Sequence, residues 1–243
     1  MALTLEGKNA VITGSSRGIG RAIAERLAAA GASVIVNYRQ NSELAQQVVN
    51  GIHAIGGKAK AIQADVSRID QIKNLFDQSE KALGGLDIVV ANAGVLLQKP
   101  LSECTEEDYD SVFNVNTKGV FFTLKEGARR VRDGGRIIVV SSSGTKMGFG
   151  GVSLYLGSKG AIEQFVRSLS RELGPRNITA NVLSPGFTET DMFIQEWRSL
   201  AASLSPFNRI GSVEEVADVA VFLASDQARW ITGQNVQSNG GAV

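Results

Sequence analysis

Short apolar runs recur along the chain at long intervals and leave few folds open. They are NAVIT (9–13), SVIVNY (33–38), AKAIQA (59–64), LDIVVA (86–91), RIIVVS (136–141), ITANVLS (178–184) and QNVQS (234–238). Between them lie segments of helical periodicity, among them GIGRAIAERLAAAG, QIKNLFDQSEKALG, DYDSVFNVNTKGVFFTLKEGARRV and SLYLGSKGAIEQFVRSLSRELG. Strand then helix, repeated, makes βαβ units, and near-continuous apolar strands belong in a parallel sheet covered on both faces. Helices are expected to stop at Gly31, Gly56, Gly84 and Gly174, where glycine takes the left-handed C-terminal position. No Pro/Ser-rich linker divides the chain, so one domain over 1–243 is expected. Only the stretch from Pro185 to Gly211 breaks the rhythm, where an open α/β fold puts its substrate crevice. Residues 187–207 are expected to be a substrate-covering segment. There Met192, Phe193, Ile194, Trp197, Leu200 and Leu204 place apolar groups at helix-like intervals.

The first run passes directly into TGSSRGIG, with Gly14, Gly18 and Gly20, and then into a helix. Glycines there permit a tight turn and close backbone approach, so that amide N–H groups and the helix N-terminus can hold a pyrophosphate. The spacing is G-x3-G-x-G, not the G-x-G-x-x-G of the usual dinucleotide fingerprint. The second run ends in NYRQ, without the carboxylate that would bond a ribose 2′-hydroxyl. Arg39 follows Tyr38 there, and Arg17 lies in the glycine loop. Two guanidinium groups suit a 2′-phosphate that an acid would repel, which favours NADP over NAD.

Charge and composition narrow the chemistry. With 25 Lys+Arg against 24 Asp+Glu the net charge is +1, which argues against a basic nucleic-acid surface. A single cysteine, Cys104, supports neither an internal disulfide nor a cysteine-rich zinc site and suits a reducing compartment. The one histidine, His53, falls in a helical stretch far from any serine-rich turn, so neither a Ser-His-Asp triad nor a histidine metal site is expected. No membrane-length apolar run or signal-peptide pattern is present, and a cytoplasmic protein is expected. Proton transfer then falls to other groups, and YLGSK (155–159) offers a pair: on a helix, Tyr155 and Lys159 share one face.

In order along the chain, TGSSRGIG (13–20), ADV (64–66), NAG (92–94), the asparagine of VNTKG (115–119), SSSG (141–144), YLGSK and SPGFTETDM (184–192) resemble the motifs of the short-chain dehydrogenase/reductases from end to end. The resemblance implies a doubly wound, Rossmann-type sheet of seven parallel strands, bound NADPH and a homotetramer. It implies that Tyr155 is the general acid in ketone reduction and the base in alcohol oxidation. Lys159 would bind the nicotinamide ribose and favour the phenolate, lowering a phenol pKa that ordinarily lies near 10. Ser142, thirteen residues before Tyr155, would bond the substrate oxygen, with Ser141 and Ser143 as neighbours of the same type. Asn116 would hold a water in a proton relay to Lys159, with Asn114 on another helix face.

For the cofactor the resemblance implies Gly14, Ser16, Arg17, Gly18, Ile19 and Gly20 in the loop, then Tyr38 and Arg39, then Asp65 and Val66 at the adenine. It adds Asn92, Ala93 and Gly94 in the turn lining the cofactor, with Asn92 also tying strands, and Pro185, Gly186 and Thr188 near the nicotinamide amide. The loop GTKMGFGGVSL, with Met147 and Phe149, suggests an apolar substrate wall or packing against the cover. The expected activity is NADPH-dependent reduction of a small-molecule ketone, or oxidation of the corresponding alcohol. An alternative is a 3-oxoacyl-carrier-protein reductase, with Arg129, Arg130, Arg132 and Arg176 either near the cleft rim meeting an acyl carrier protein or serving as ordinary helix-end cations. A non-enzymatic NADP sensor is the alternative of another class. Neither nucleic acid, membrane nor metal is expected as a partner.

Overall fold

The computed structural model describes residues 4–243. Strands β1 (Asn9–Ile12), β2 (Ser33–Tyr38), β3 (Lys58–Gln63), β4 (Leu86–Ala91), β5 (Val131–Val140), β6 (Thr179–Pro185) and β7 (Asn235–Ser238) form one sheet. Their order is β3-β2-β1-β4-β5-β6-β7, and every neighbouring pair is parallel. Successive side chains of a strand face opposite layers, and both layers are apolar. Ala10, Ile12, Val34, Val36, Ile88 and Val90 pack on one face against helices α1 (Gly18–Ala29), α2 (Ser42–Ala54) and α9 (Val213–Ala224). Val11, Ile35, Val89, Ile137 and Val139 pack on the other, against α3 (Ile69–Leu83), α5 (Val120–Arg130) and α7 (Ser153–Leu173). This double cover is why β4, LDIVVA, is buried along its whole length, whereas β3 alternates lysines with apolar residues at the sheet edge. The result is a single-domain Rossmann-type fold, as the sequence led us to expect. Strand order reverses between β1 and β4, and a crevice opens beyond the carboxyl ends there.

Two details depart from the sequence reading. The segment expected as one helix from residue 108 is three pieces: α4 (Glu106–Phe113), a π-helical turn (Asn114–Gly119) and α5. Gly119 explains the local path, because a Cβ there would lie 2.6 Å from the Val66 carbonyl oxygen. α4 itself starts at a capping box, with Thr105 and Asp108 each accepting from the other's backbone N–H. At the end of α7 Gly174 is right-handed and begins a further short turn, and Asn177 takes the left-handed position at φ 54°. Gly31, Gly56 and Gly84 have positive φ as expected.

After β5 come α6 (Gly144–Met147) and then α7. After β6 the chain forms the irregular stretch 187–194 and α8 (Arg198–Leu204). Both ends of this excursion are fastened: Phe187 and Glu189 exchange backbone bonds with Gly211, and Ser205 Oγ donates to the Gly240 carbonyl. Met192 and Leu200 turn outward, 43% and 52% exposed, so the apolar periodicity of the segment does not make one inward face.

Candidate active site

The carboxyl ends of β1, β4, β5 and β6 open into a cavity of about 790 Å³. Its first wall is the glycine loop. Gly14 has φ 62°, and a Cβ there would meet Ala93 Cα at 2.9 Å. At Gly20 a Cβ would collide with the Asn92 side chain and the Gly14 carbonyl. Side chains lock this close approach: Asn92 Nδ2 donates to the Thr13 and Gly14 carbonyls at 2.9 and 3.0 Å, and Thr13 Oγ1 accepts from the backbone N–H groups of Asn92 and Ala93. From the other side the Gly14 N–H donates to Asn37 Oδ1, while Asn37 Nδ2 donates to the Ile62 and Ala64 carbonyls. Arg17 and Arg39 both line the cavity and are exposed. Arg17 stands 3.9 Å from the Asp191 carboxylate, and the Arg39 guanidinium donates to Gln40.

The opposite wall is built by β5 and α7. Ser141, Ser142 and Ser143 leave β5 in succession but are spent differently. Ser141 Oγ donates to Glu163 Oε1 at 2.8 Å, and Ser143 Oγ donates to the Ser184 carbonyl and Gln237. Ser142 Oγ accepts from the Gly144 N–H at 3.1 Å and lines the cavity together with Tyr155. One turn along α7 the buried Lys159 lies over the Tyr155 ring, its Nζ 5.9 Å from the centroid, and donates to the Val140 carbonyl at 2.9 Å.

Burial acts on these two groups in opposite senses. It pushes the Tyr155 phenol above its ordinary value, and the Ser142 hydroxyl pulls back more weakly. It pulls Lys159 down to about 8, with the Glu163 carboxylate acting the other way. The expectation that Lys159 lowers the Tyr155 pKa is therefore not met in the protein by itself: the ammonium sits over the ring face, its proton goes to a backbone carbonyl, and desolvation of the phenol dominates.

The far end is aromatic. Phe149 stands 5.6 Å from Phe187 and 5.9 Å from Trp197, and Phe187 stands 6.3 Å from Phe193. All four line the cavity. Phe149 thus does both things its loop suggested, lining the cavity and packing on the segment after β6.

The sequence model of a family described as Enoyl-(Acyl carrier protein) reductase matches residues 14–243. A short chain dehydrogenase of Claviceps purpurea is 44% identical over 98% of this chain and 97% of its own. A short chain dehydrogenase from Burkholderia cenocepacia, solved with NADP, superposes with a TM-score of 0.95 at 40% identity, covering 98% of each chain. An angucycline C-6 ketoreductase with bound NADP does so with a TM-score of 0.95 at 41% identity, covering 98% of this chain and 96% of that one. The chain is a short-chain dehydrogenase/reductase.

In this short-chain dehydrogenase/reductase, one cavity gathers Gly14, Ser16, Arg17, Gly18, Ile19 and Gly20 with Tyr38, Arg39, Asp65 and Val66. It also gathers Asn92, Ala93 and Gly94 with Ser142, Tyr155, Lys159, Pro185, Gly186 and Thr188. Asn116 stands apart. It is buried behind Gly94, and its amide is used up by both backbone groups of Val95 and by Ser158, so any contact it makes with the relay falls to its main chain. The arginines expected at the cleft rim lie elsewhere. Arg129, Arg130 and Arg132 flank the start of β5, at the opposite edge of the sheet from the cavity, and Arg176 bonds the Ala128 and Val131 carbonyls there. Arg130 is further paired with Asp77, Glu80 and Glu126.

Sequence reasoning passed over Asn37 and Glu163. An asparagine inside the apolar run SVIVNY was a visible signal, since a buried amide must find partners. Glu163, two turns beyond Tyr155 on the same helix, carried a weaker one.

The unequal use of the three serines gives a test. Ser142→Ala is expected to lower kcat roughly a hundredfold or more, as removal of an oxyanion donor does. Ser143→Ala is expected to lower Tm while kcat changes no more than a few-fold. Steady-state kinetics with thermal unfolding checks both, and equal kcat losses would show that the free hydroxyl is not the one used.

Proposed function

We propose that the protein is an NADPH-dependent carbonyl reductase in which Tyr155 donates a proton to a ketone oxygen that Ser142 also binds. The observation that carries this reading is that Ser142, Tyr155 and Lys159 share one cavity wall, with the Lys159 ammonium over the Tyr155 ring and burial holding the phenol protonated. A tyrosine that keeps its proton at neutral pH is the acid that reduction needs, whereas alcohol oxidation needs the phenolate. Lys159, cationic below about 8, balances the charge that develops on the phenol as its proton leaves.

The cradle fits a dinucleotide. The loop has no room for side chains at Gly14 and Gly20, it lines the cavity at the start of α1, and the exit of β2 offers Arg39 and no carboxylate. Gly14, Ser16, Gly18 and Ile19 would hold the pyrophosphate, Arg17 and Arg39 a 2′-phosphate, Asp65 and Val66 the adenine, and Pro185, Gly186 and Thr188 the nicotinamide amide. When bound, NADPH supplies the hydride. The NADP carried by two of the relatives supports the same choice. An aromatic wall favours a ring-bearing ketone, in keeping with the ketoreductase relative. The carrier-protein alternative loses its proposed contact, because the four arginines sit at the other sheet edge and are engaged there.

We further propose that residues 187–207 close over the substrate, since among the described residues the segment's backbone bonds to the rest of the fold lie at its ends and it contributes Phe193 and Trp197 to the cavity.

Tyr155→Phe is expected to cost roughly two to four orders of magnitude in kcat while NADPH still binds. Stopped-flow NADPH oxidation with a bicyclic aromatic ketone measures it, and near-normal turnover would reject the mechanism. Any such oxidation by the wild type removes a purely sensory role. Arg39→Ala is expected to weaken NADPH roughly tenfold or more and NADH little, by the loss of a charge-assisted contact; calorimetric titration of both cofactors reads the difference, and equal losses would clear Arg39 of the phosphate. For the cover, amide exchange across 187–207 is expected to slow on adding NADPH and ketone. Protection already complete in the free protein would mean a fixed wall.

A further inference from the structure

The Glu163 carboxylate is a titratable group that the proposed reaction leaves unassigned, and its position is unusual in what it joins. It lies on α7 one turn beyond Lys159 and two beyond Tyr155, on the same helix face. A single oxygen, Oε1, accepts from Ser141 Oγ and from Thr145 Oγ1, each at 2.8 Å. Those two donors flank Ser142 on either side, one at the exit of β5 and one in α6. Ser141 also reaches the Lys159 carbonyl, at 3.5 Å. The loop carrying Ser142 is thus stitched to the helix carrying Tyr155 and Lys159 through one carboxylate.

We propose that Glu163 is a positioning residue of the reductase site: it fixes Ser142 against Tyr155 through the two flanking hydroxyls and holds Lys159 in its cationic form. The inference rests on the reading of Tyr155 as proton donor. Its two halves have separate physical causes. The tie is geometric, because the Ser142 carbonyl accepts from the Thr145 N–H and Oγ1, at 3.2 and 2.9 Å, and Glu163 anchors that same threonine hydroxyl and Ser141 to α7. The charge effect is electrostatic, because burial pulls the Lys159 ammonium toward losing its proton and the Glu163 carboxylate, one turn on, opposes that loss.

Among the described residues, the titratable groups facing Lys159 are Tyr155 and Glu163, both on α7. From β5 it meets the Val140 carbonyl. Across the turn at Gly94 lies the Asn116 amide oxygen; that oxygen and Lys159 Nζ each stand 3.3 Å from where a Gly94 Cβ would be.

Two variants separate tie from charge. Glu163→Gln keeps an acceptor for both hydroxyls and removes the charge, whereas Ser141→Ala/Thr145→Ala keeps the charge and removes the tie. The full chain labelled with 13C-lysine gives the Lys159 titration midpoint by NMR, assigned by the signal lost in Lys159→Met. The same proteins give kcat against pH for NADPH-dependent reduction of an aromatic ketone.

For Glu163→Gln the Lys159 midpoint is expected to fall from about 8 by roughly half a unit to one unit. The alkaline limb of kcat should move down with it, and NADPH affinity should stay within about twofold. For the double variant kcat is expected to fall roughly tenfold without a lower midpoint. A glutamate that merely braced the fold would lower Tm in Glu163→Gln and leave the midpoint in place, and that result overturns the proposal. So does a double variant with wild-type kcat. A wild type that reduces no ketone would overturn the reading of the site as a carbonyl reductase, while the NMR midpoints would still decide the charge effect of Glu163.

Discussion

The chain leaves β1 and β4 side by side with no room for a side chain between them, and the rest of the site is arranged around that contact. Gly14 packs its backbone on Ala93, Asn92 bridges to the carbonyls of Thr13 and Gly14, and Asn37 receives the Gly14 N–H from the neighbouring strand. A methyl group at Gly14 would have to move a backbone that three other bonds already fix. Because strand order reverses at this pair, the same contact that closes the core also sets the mouth of the crevice. Structural need and ligand placement are one requirement here, which is why the glycines belong to both.

Burial does the chemical tuning on the opposite wall. Tyr155 and Lys159 are both desolvated, and since one is charged when deprotonated and the other when protonated, a dry site drives both toward neutrality. A neutral phenol suits proton donation, but a neutral lysine does not help it. Glu163 corrects that side of the balance alone, because it stands one turn past the lysine and two past the tyrosine. The polarity of the two sheet edges follows a similar division of labour. Arginines at the amino-terminal edge are consumed by ion pairs and carbonyls, as with Arg130 and Arg176, whereas Arg17 and Arg39 at the carboxyl edge remain exposed in the cavity.

The most deeply covered strands were legible to the residue: SVIVNY and LDIVVA coincide with β2 and β4, because their apolar character comes from the double cover that also makes them strands, whereas β5 starts at Val131, five residues before the apolar run RIIVVS. So were the helix ends at Gly31, Gly56 and Gly84, where local backbone sterics decide. What escaped the sequence depended on contacts made across the fold. The π turn at Asn114–Gly119 answers to the Val66 carbonyl, which no helical periodicity records. Three adjacent serines are alike in sequence and differ only in whether Glu163, Gln237 or Tyr155 stands opposite. Cationic runs such as that at Arg129–Arg132 carry no sign of which sheet edge they occupy until the strand direction is known. The stretch 187–207 escaped for a related reason, since apolar spacing describes a helix and residues 187–194 are not one.

The protein has two tryptophans, and the fold puts them in contrasting surroundings. Trp230 is 96% exposed, whereas Trp197 lies among Phe149 and Phe187 at the cavity. Indole emission shifts to longer wavelength in water, so the spectrum divides into a solvent band and a band from the aromatic wall. Ligand entry beside Phe149 and Trp197 reaches the second band and leaves the first as an internal reference. The molecule thus carries its own optical gauge of how the aromatic wall engages what binds there.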